Sequence, residues 1–436
     1  MAHALMIMLA AACVAVPWQL GQRLGLIRLL SPLHLVALFA FGGVLAKTAV
    51  FAVWPARAFY QRFDIAPEFA IWGGIYLAGF ILCLCLGYVI ACAQVQRPPT
   101  RTARPALHLP HRLLLVLSAL LVSGGVIAVL LASRGDEIGR DALATLSAQK
   151  QVHHNEAGVG ATFAGLKALF IVPKFAYVAL LLVALRHCRR FDWLLVTVLA
   201  VALIGVAVAS GDRFELLELL FYTAIIWVMA GGKGTIAAPL RFACLGLVAI
   251  GVAQIMTAWR GADSLWWQIL GSTYFLDINV ATMVVAKLSP EHLLWGQSYG
   301  WWVFGWVPRA VWIDKPAIDL GVYLKQVVMQ VPASGAFNVT GPGEAFINFG
   351  WAGMLVALPL GAAMRMAEAW TLQSGTTSAR ALLYPLLVYP FVQAVLQSSF
   401  SAFVVTAVFQ LCVLWLLGKL FLVHQRPAGL VLGQTA

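Results

Sequence analysis

The chain has 436 residues, of which 62% are hydrophobic and 11% are charged, and its formal net charge is +12. This composition excludes a soluble globular protein of that size, because too few polar side chains are present to cover its surface. Apolar stretches long enough to cross roughly 30 Å of hydrocarbon as helices recur along the whole chain. The sequence therefore predicts an all-α, polytopic integral membrane protein, whose basic excess reflects insertion topology rather than nucleic-acid binding.

The apolar stretches predict eleven membrane helices in one transmembrane domain that covers residues 1–436, and a count of twelve stays open. The predicted helices lie at residues 2–19, 29–53, 70–94, 113–133, 163–185, 193–210, 214–231, 240–258, 345–364, 382–398 and 400–421.

Two basic connections orient these helices. Residues 95–112 hold four arginines and no acid, and residues 186–192 hold three more arginines. Because cytoplasmic loops carry the excess of Lys and Arg, we expect both connections inside, the N-terminus outside and the C-terminus inside. Residues 259–344 then form a long external loop with short helices, which is periplasmic in a Gram-negative cell. The sequence predicts localisation in a bacterial inner membrane.

Residues 268–287 are apolar enough to enter the membrane, yet they carry Asp277. If this segment crossed, the later external loop would move to the cytoplasm and the basic ends of the last helices would move outside. We therefore expect a re-entrant or surface-lying helix here, with a full crossing as the alternative.

A polar segment at 307–350 interrupts the hydrophobic chain and suggests a working site at the membrane surface. Within it, the sequence GPGE places Glu344 in the first turn of a helix, just outside the membrane. If the chemistry is glycosyl transfer, an acid is needed to take the proton of the attacking hydroxyl, and Glu344 is the first candidate. Asp277 and Asp314 are the others. The alternative for Glu344 is a helix-start glutamate favoured by the helix dipole.

Four cations are predicted on the external face. Arg213 opens a helix in SGDRFE, Arg260 follows the eighth helix, and Arg309 and Lys315 lie in VPRAVWIDKP. Guanidinium groups bind phosphate oxygens in pairs, and a helix N-terminus adds its own donors. Together the four would suit a diphosphate that joins a lipid to a sugar. The alternative is a set of unrelated surface charges.

Nine of the 16 tryptophans lie between residues 259 and 351, among them Trp302 and Trp312. Aromatic rings stack on sugar faces, but they also collect at membrane interfaces without any functional role. Three lysines, Lys47, Lys167 and Lys174, lie inside predicted spans, where they line a polar cavity or sit near a helix end. Cysteines and histidines show no metal-ligand spacing, so no metal and no cofactor is expected.

Three segments resemble the bacterial O-antigen and oligosaccharide repeat-unit polymerases of the Wzy type. The first is SGDRFELLELLFY, the second is GQSYGWWVFGWVPRAVWIDKP and the third is GPGEAFINFGWAGMLVALPLG. The residues that match the family's second and third blocks are Gly296, Ser298, Tyr299, Pro308, Arg309, Trp312, Lys315, Pro316, Gly343, Glu344, Phe346, Asn348, Phe349, Gly350 and Gly353. The resemblance covers residues 205–365, whereas the N-terminal half agrees only in being hydrophobic helices.

The resemblance implies a metal-independent membrane glycosyltransferase with a GT-C-like fold. Its substrates would be undecaprenyl-diphosphate-linked oligosaccharides, and its partners would be membrane lipid and a chain-length regulator protein, without nucleic acid. Arg213, Arg260, Arg309 and Lys315 would hold the diphosphate, and Arg309 would also stabilise it as the leaving group. Glu344 or Asp277 would activate the acceptor hydroxyl. The saccharide would contact Tyr299, Trp302, Trp312 and Asn348.

Two alternatives stay open. An O-antigen ligase, which transfers glycan to lipid A-core, would share the lipid-linked donor and the external arginines. A transporter or flippase for lipid-linked oligosaccharide would instead use the three lysines within predicted spans to line a path. The transporter hypothesis predicts internal repeats with broken helices at matching positions, and the sequence shows no such repeats.

Overall fold

A computed structural model describes most of the chain. The described residues are 2–27, 29–94, 109–132, 169–210, 214–231, 237–259, 276–307, 311–312, 320–331, 337–376, 378–397 and 399–422. This part is 84% helical and contains no strand. The prediction of an all-α protein is confirmed.

Twelve principal helices run through the described residues. They are α1 (Ala2–Leu24), α2 (Pro32–Val53), α3 (Glu68–Gln94), α4 (Arg112–Ala132), α5 (Ile171–His187), α6 (Arg190–Ser210), α7 (Phe214–Met229), α8 (Ala237–Trp259), α9 (Ile278–Lys287), α10 (Gly341–Leu372), α11 (Tyr389–Gln397) and α12 (Phe400–Phe421). All except α9 coincide with one of the eleven predicted segments. Helix α11 continues a stretch of 3₁₀ turns at 380–382 and π-helical turns at 384–388.

Six of these helices are long and apolar enough to cross a membrane: Ala4–Leu24, Pro32–Val53, Glu68–Gln94, Arg190–Ala209, Gly341–Leu372 and Phe400–Phe421. This establishes a multi-pass membrane architecture. The finer count of eleven spans stays a prediction, because the remaining helices are shorter or less apolar over their described residues.

Helix α3 packs along α10 through small residues that let the two backbones approach. A Cβ atom at Gly87 would lie 1.9 Å from the carbonyl oxygen of Leu358, and one at Gly361 would lie 1.9 Å from that of Leu84. Any larger residue would therefore force the helices apart. Because lipid offers no hydrophobic drive for helix association, such close backbone packing is a main source of adhesion in membrane bundles.

Helix α9 is a short, buried helix that packs on α3 and α10, and the residues just before it contact α2. Its ten residues extend about 15 Å at 1.5 Å per residue, which is half of a hydrocarbon core. It begins after Leu276, whose carbonyl oxygen would lie 1.7 Å from a Cβ at Gly43, within the π-helical turns 41–46 of α2. Residues 268–275 of the predicted re-entrant helix lie outside the described residues, and the depth of this segment in the membrane stays a prediction.

Polar groups at one end of the bundle tie α1, α3 and α10 together. Glu368 of α10 accepts hydrogen bonds from the Leu26 amide at 2.9 Å, from the Tyr88 hydroxyl and from Arg365 at 3.0 Å. At the same end of the bundle, Arg112 pairs with Asp192 at 2.6 Å. We call this the basic end, because the helices that flank both predicted cytoplasmic connections end or begin here.

Candidate functional site

At the end opposite the basic end, Glu344 joins two segments that are distant in sequence. Its side chain is 1% exposed. One carboxylate oxygen accepts a hydrogen bond from the Ser298 hydroxyl at 2.8 Å, and the other accepts one from the Phe400 amide at 2.7 Å. Since the first amides of a helix have no partner within the helix, Glu344 acts as a cap for α12.

Asn348 completes the contact one helical turn after Glu344. Its amide nitrogen donates to the Ser298 hydroxyl at 2.7 Å and to the Glu344 carbonyl at 2.8 Å, and its oxygen accepts from the Gly296 amide at 3.0 Å. The amides of Leu294 and Trp295 donate to the carbonyls of residues 347 and 348. The beginnings of the second and third resembling blocks, at 296–298 and 344–348, are therefore one interlocked unit.

The local sequence explains why Glu344 stands at a helix start. Thr340 has a φ of 62° and its hydroxyl accepts a hydrogen bond from the Gly343 amide at 3.3 Å. A Cβ at Gly341 would lie 1.7 Å from the carbonyl oxygen of Val395. Glycine is needed there because α10 begins directly against the backbone of α11.

The four residues predicted to bind a saccharide fall into two groups. Trp302 and Trp312 are 37% and 41% exposed, so their rings are available to a sugar or to lipid headgroups. Tyr299 stacks on Phe349 with ring centroids 6.2 Å apart, and burial together with the charge of Glu344 raises the pKa of its phenol. Asn348 is fully buried, and both of its amide hydrogens bind protein acceptors. In this arrangement Asn348 holds the site together rather than presenting donors to a sugar.

Asp277, the other predicted catalytic acid, is sealed in an ion pair. It is 0% exposed, it pairs with Lys47 of α2, and it accepts hydrogen bonds from the Asn279 amide at 2.8 Å and side chain at 3.0 Å. Asn279 in turn accepts from the Phe59 amide at 2.9 Å. Burial raises the pKa of Asp277, and Lys47 with Asn279 opposes that rise. The arrangement joins α2, α9 and the 3₁₀ turn at 59–63.

The predicted diphosphate ligands Arg213, Arg260, Arg309 and Lys315 lie outside the described residues, as do Asp314 and Lys167. Their convergence stays a prediction.

A third polar cluster, at the starts of α5 and α7, was missed by sequence reasoning. Lys174 contacts Glu215 at 2.7 Å and Glu218 at 2.6 Å. The Tyr222 hydroxyl donates to the same Glu218 oxygen at 3.1 Å. Positions 215, 218 and 222 follow the i, i+3, i+7 spacing of one helix face, which is the signal that could have indicated a polar stripe within FELLELLFY.

Within the described ranges, no group of three or more His, Cys, Asp or Glu side chains could hold a metal ion. No protein-family model, no curated protein and no solved structure matches this chain.

Proposed function

We propose that the protein is a bacterial inner-membrane glycosyltransferase that polymerises undecaprenyl-diphosphate-linked oligosaccharide repeat units on the periplasmic side. The observation that carries the proposal is the Ser298–Glu344–Asn348 contact. It joins the beginnings of two sequence blocks by which the chain resembles repeat-unit polymerases, although 46 residues separate Ser298 from Glu344. A GT-C-like arrangement, with the site at the external membrane surface, belongs to this proposal.

The exposed rings beside this contact support a glycan substrate. Trp295, Trp302 and Trp312 are all exposed, and Trp295 and Trp302 lie beside or in the short helical turns at 297–305 rather than in a long membrane helix. A lipid-linked oligosaccharide has both a membrane-embedded tail and a sugar chain in water, so it would meet such rings at the interface. The cations of the second block, Arg309 and Lys315, would hold the diphosphate there.

The surroundings of two buried lysines weigh against an anion path through the bundle. Lys47 pairs with Asp277, and Lys174 pairs with Glu215 and Glu218. A cation that is neutralised by carboxylates offers little attraction to a moving diphosphate. This favours the glycosyltransferase over the transporter alternative.

The glycan phenotype of a deletion strain tests the proposal. Deletion should leave a single repeat unit on lipid A-core, and the wild-type gene should restore a long polymer ladder. A ligase would instead leave no glycan on lipid A-core and accumulate lipid-linked polymer, whereas intact glycan would favour a transporter. Arg309→Ala should abolish the ladder at unchanged protein level, with Arg380→Ala, at the basic end, as the matched control. A full ladder from Arg309→Ala would contradict the mechanism.

A further inference from the structure

The turn at 295–302, at the end of the bundle opposite the basic end, combines a buried centre with exposed rings. Ser298 is completely buried, whereas Trp295 and Trp302 are exposed. At 71%, Trp295 is more exposed than any other tryptophan that the structure describes. The turn is therefore held by the protein on one side and open on the other.

Buried hydrogen bonds hold the backbone at both ends of this turn. At one end, the Trp295 amide donates to the Asn348 carbonyl at 2.9 Å. At the other end, the Trp302 amide donates to the Ser401 hydroxyl at 3.2 Å, and that hydroxyl donates to the Ser298 carbonyl. Ser401 lies in the first turn of α12 and is completely buried. The same buried network thus sets the positions of two exposed rings.

The backbone at Trp295 is held in an unfavourable conformation. Its φ is 50°, in the left-handed region that a bulky side chain rarely adopts. The next residue, Gly296, has a φ of 89°, and a Cβ there would lie 3.1 Å from the Phe349 ring. Strained backbone persists where surrounding contacts enforce it, and it is common at binding sites. A glycine or asparagine would form this turn at lower cost, so the turn alone does not explain the tryptophan.

The surface beside these rings is polar. Gln297, between the two tryptophans in the sequence, is exposed, and its amide offers both donors and an acceptor. Glu291 and His292, in the turn before Trp295, are exposed as well. Charged side chains avoid hydrocarbon, so this surface faces water or headgroups rather than lipid tails. Exposed indoles beside polar groups suit a sugar, which has apolar faces and hydroxyl groups.

We propose that Trp295, Gln297 and Trp302 form one oligosaccharide-binding surface, and that Ser401 positions the Trp302 ring within it. This inference rests on the proposed function and names the part of the site that holds the glycan. Trp295 and Gln297 add sugar contacts to the one predicted at Trp302. Ser401 touches no sugar and acts through the backbone of residue 302. Because two rings are fixed at separate points, the surface suits an oligosaccharide better than a single sugar.

The test measures binding of a lipid-free oligosaccharide to the purified full-length protein in detergent. Mild acid releases this probe from the lipid-linked repeat unit of the deletion strain, so it carries sugars without lipid or diphosphate. Trp295→Ala should weaken binding by about 10-fold or more, and Trp295→Phe, which keeps a ring, should retain most of the affinity. Trp415→Ala is the matched control and should bind as wild type, because Trp415 is also exposed but lies toward the basic end of α12.

A role of Trp295 as a membrane anchor predicts a different pattern. Trp295→Leu is apolar but has no aromatic face, so we expect it to bind the oligosaccharide as weakly as Trp295→Ala does. If the ring only anchors the turn in lipid, both variants should bind the lipid-free probe as wild type does. That result would overturn the proposed surface.

A double-mutant cycle tests the positioning role of Ser401. Ser401→Ala should weaken oligosaccharide binding by about fivefold, and Ser401→Thr, which keeps the hydroxyl, should restore it. In the Trp302→Ala background, Ser401→Ala should have no further effect on affinity, because the ring that it positions is gone. Equal effects in both backgrounds would overturn the positioning role. Trp295→Ala and Trp302→Ala change exposed side chains, so they keep the proposal testable if the Ser401 variants fail to fold.

Polymerisation of the intact lipid-linked repeat unit by the same samples separates this inference from the proposed function. A wild-type protein that polymerises, with a Trp295→Ala variant that loses no affinity for the oligosaccharide, would overturn this inference alone. A wild-type protein that binds the oligosaccharide through Trp295 but does not polymerise would overturn the proposed function alone. A wild-type protein that neither binds nor polymerises would overturn both.

Discussion

Lys47 and Lys174 are both buried cations in membrane helices, but their surroundings differ in access. Lys47 pairs with Asp277, and neither side chain is exposed at all. Lys174 contacts Glu215 and Glu218, and all three side chains keep some exposure. The sealed pair cannot be reached by water without rearrangement, whereas the Lys174 cluster can. The comparison shows that two buried lysines of one bundle can differ in solvent access, and access decides how much the loss of each lysine should cost.

The largest expected effect is at the sealed pair. Lys47→Met should destabilise the protein by about 3–5 kcal/mol, because it leaves Asp277 charged and unpaired in the interior. Thermal unfolding in detergent measures the loss. The double variant Lys47→Met with Asp277→Leu should recover most of it, since the buried charge is then gone. An equally unstable double variant would show that the pair is not the cause.

The docking of α9 beside that pair gives the next effect. Gly43→Ala places a methyl group against the Leu276 carbonyl, where its carbon would lie 1.7 Å from the oxygen. We expect a loss of about 1–3 kcal/mol from overpacking. Gly124→Ala in α4 is the matched control, because nothing lies within 4 Å of its added methyl group. The control should be neutral or slightly stabilising, since alanine is the better helix former.

The open cluster should tolerate the loss of its lysine better than the sealed pair does. Lys174→Met removes hydrogen bonds to charged groups, which are worth about 1.5–3 kcal/mol each, but water can reach the partly exposed carboxylates that remain. The net loss should therefore be smaller than that of Lys47→Met. Thermal unfolding of the two variants in the same detergent measures both losses. An equal or larger loss at Lys174 would contradict the proposed difference in access.

The smallest effect on stability should have the opposite sign. Tyr389→Phe removes a hydroxyl that has no protein partner among the described residues, so the protein should gain up to about 1 kcal/mol. Tyr177→Phe is the matched control, because its hydroxyl is paired with Thr223 at 2.7 Å and its removal should cost stability. Equal losses in both variants would mean that the Tyr389 hydroxyl has a partner.

Sequence reasoning placed the helices well but could not place their polar contacts. Apolar runs locate spans because the membrane sets both their length and their composition. The partner of a buried charge carries no such local signal. Lys47 and Asp277 are 230 residues apart, and Glu344 binds the Phe400 amide, which is a backbone group that any residue could supply. The helix-start position of Glu344 was therefore predictable, whereas its contact with the start of α12 was not.

The site itself was predictable only where the sequence blocks were distinctive. The spacing of Gly296, Ser298, Glu344 and Asn348 marked two related segments, and the structure brings these residues into contact. The segment FELLELLFY contains Glu218, whose contact with Lys174 was missed. Lys174 lies 44 residues away from Glu218 in a different helix. A helix face with two acids is more often read as a solvated surface.

The contact between Glu368 and the Leu26 amide bears on how the protein is made. These groups are 342 residues apart, so α1 must leave the ribosome and insert long before its partner on α10 is synthesised. During that interval the Leu26 amide and the Leu24 carbonyl, which binds Arg365, need other partners, such as water or lipid headgroups at the membrane surface. The amino-terminal helix is thus fastened late in biogenesis, and a chain that stops before residue 365 would leave α1 without this attachment.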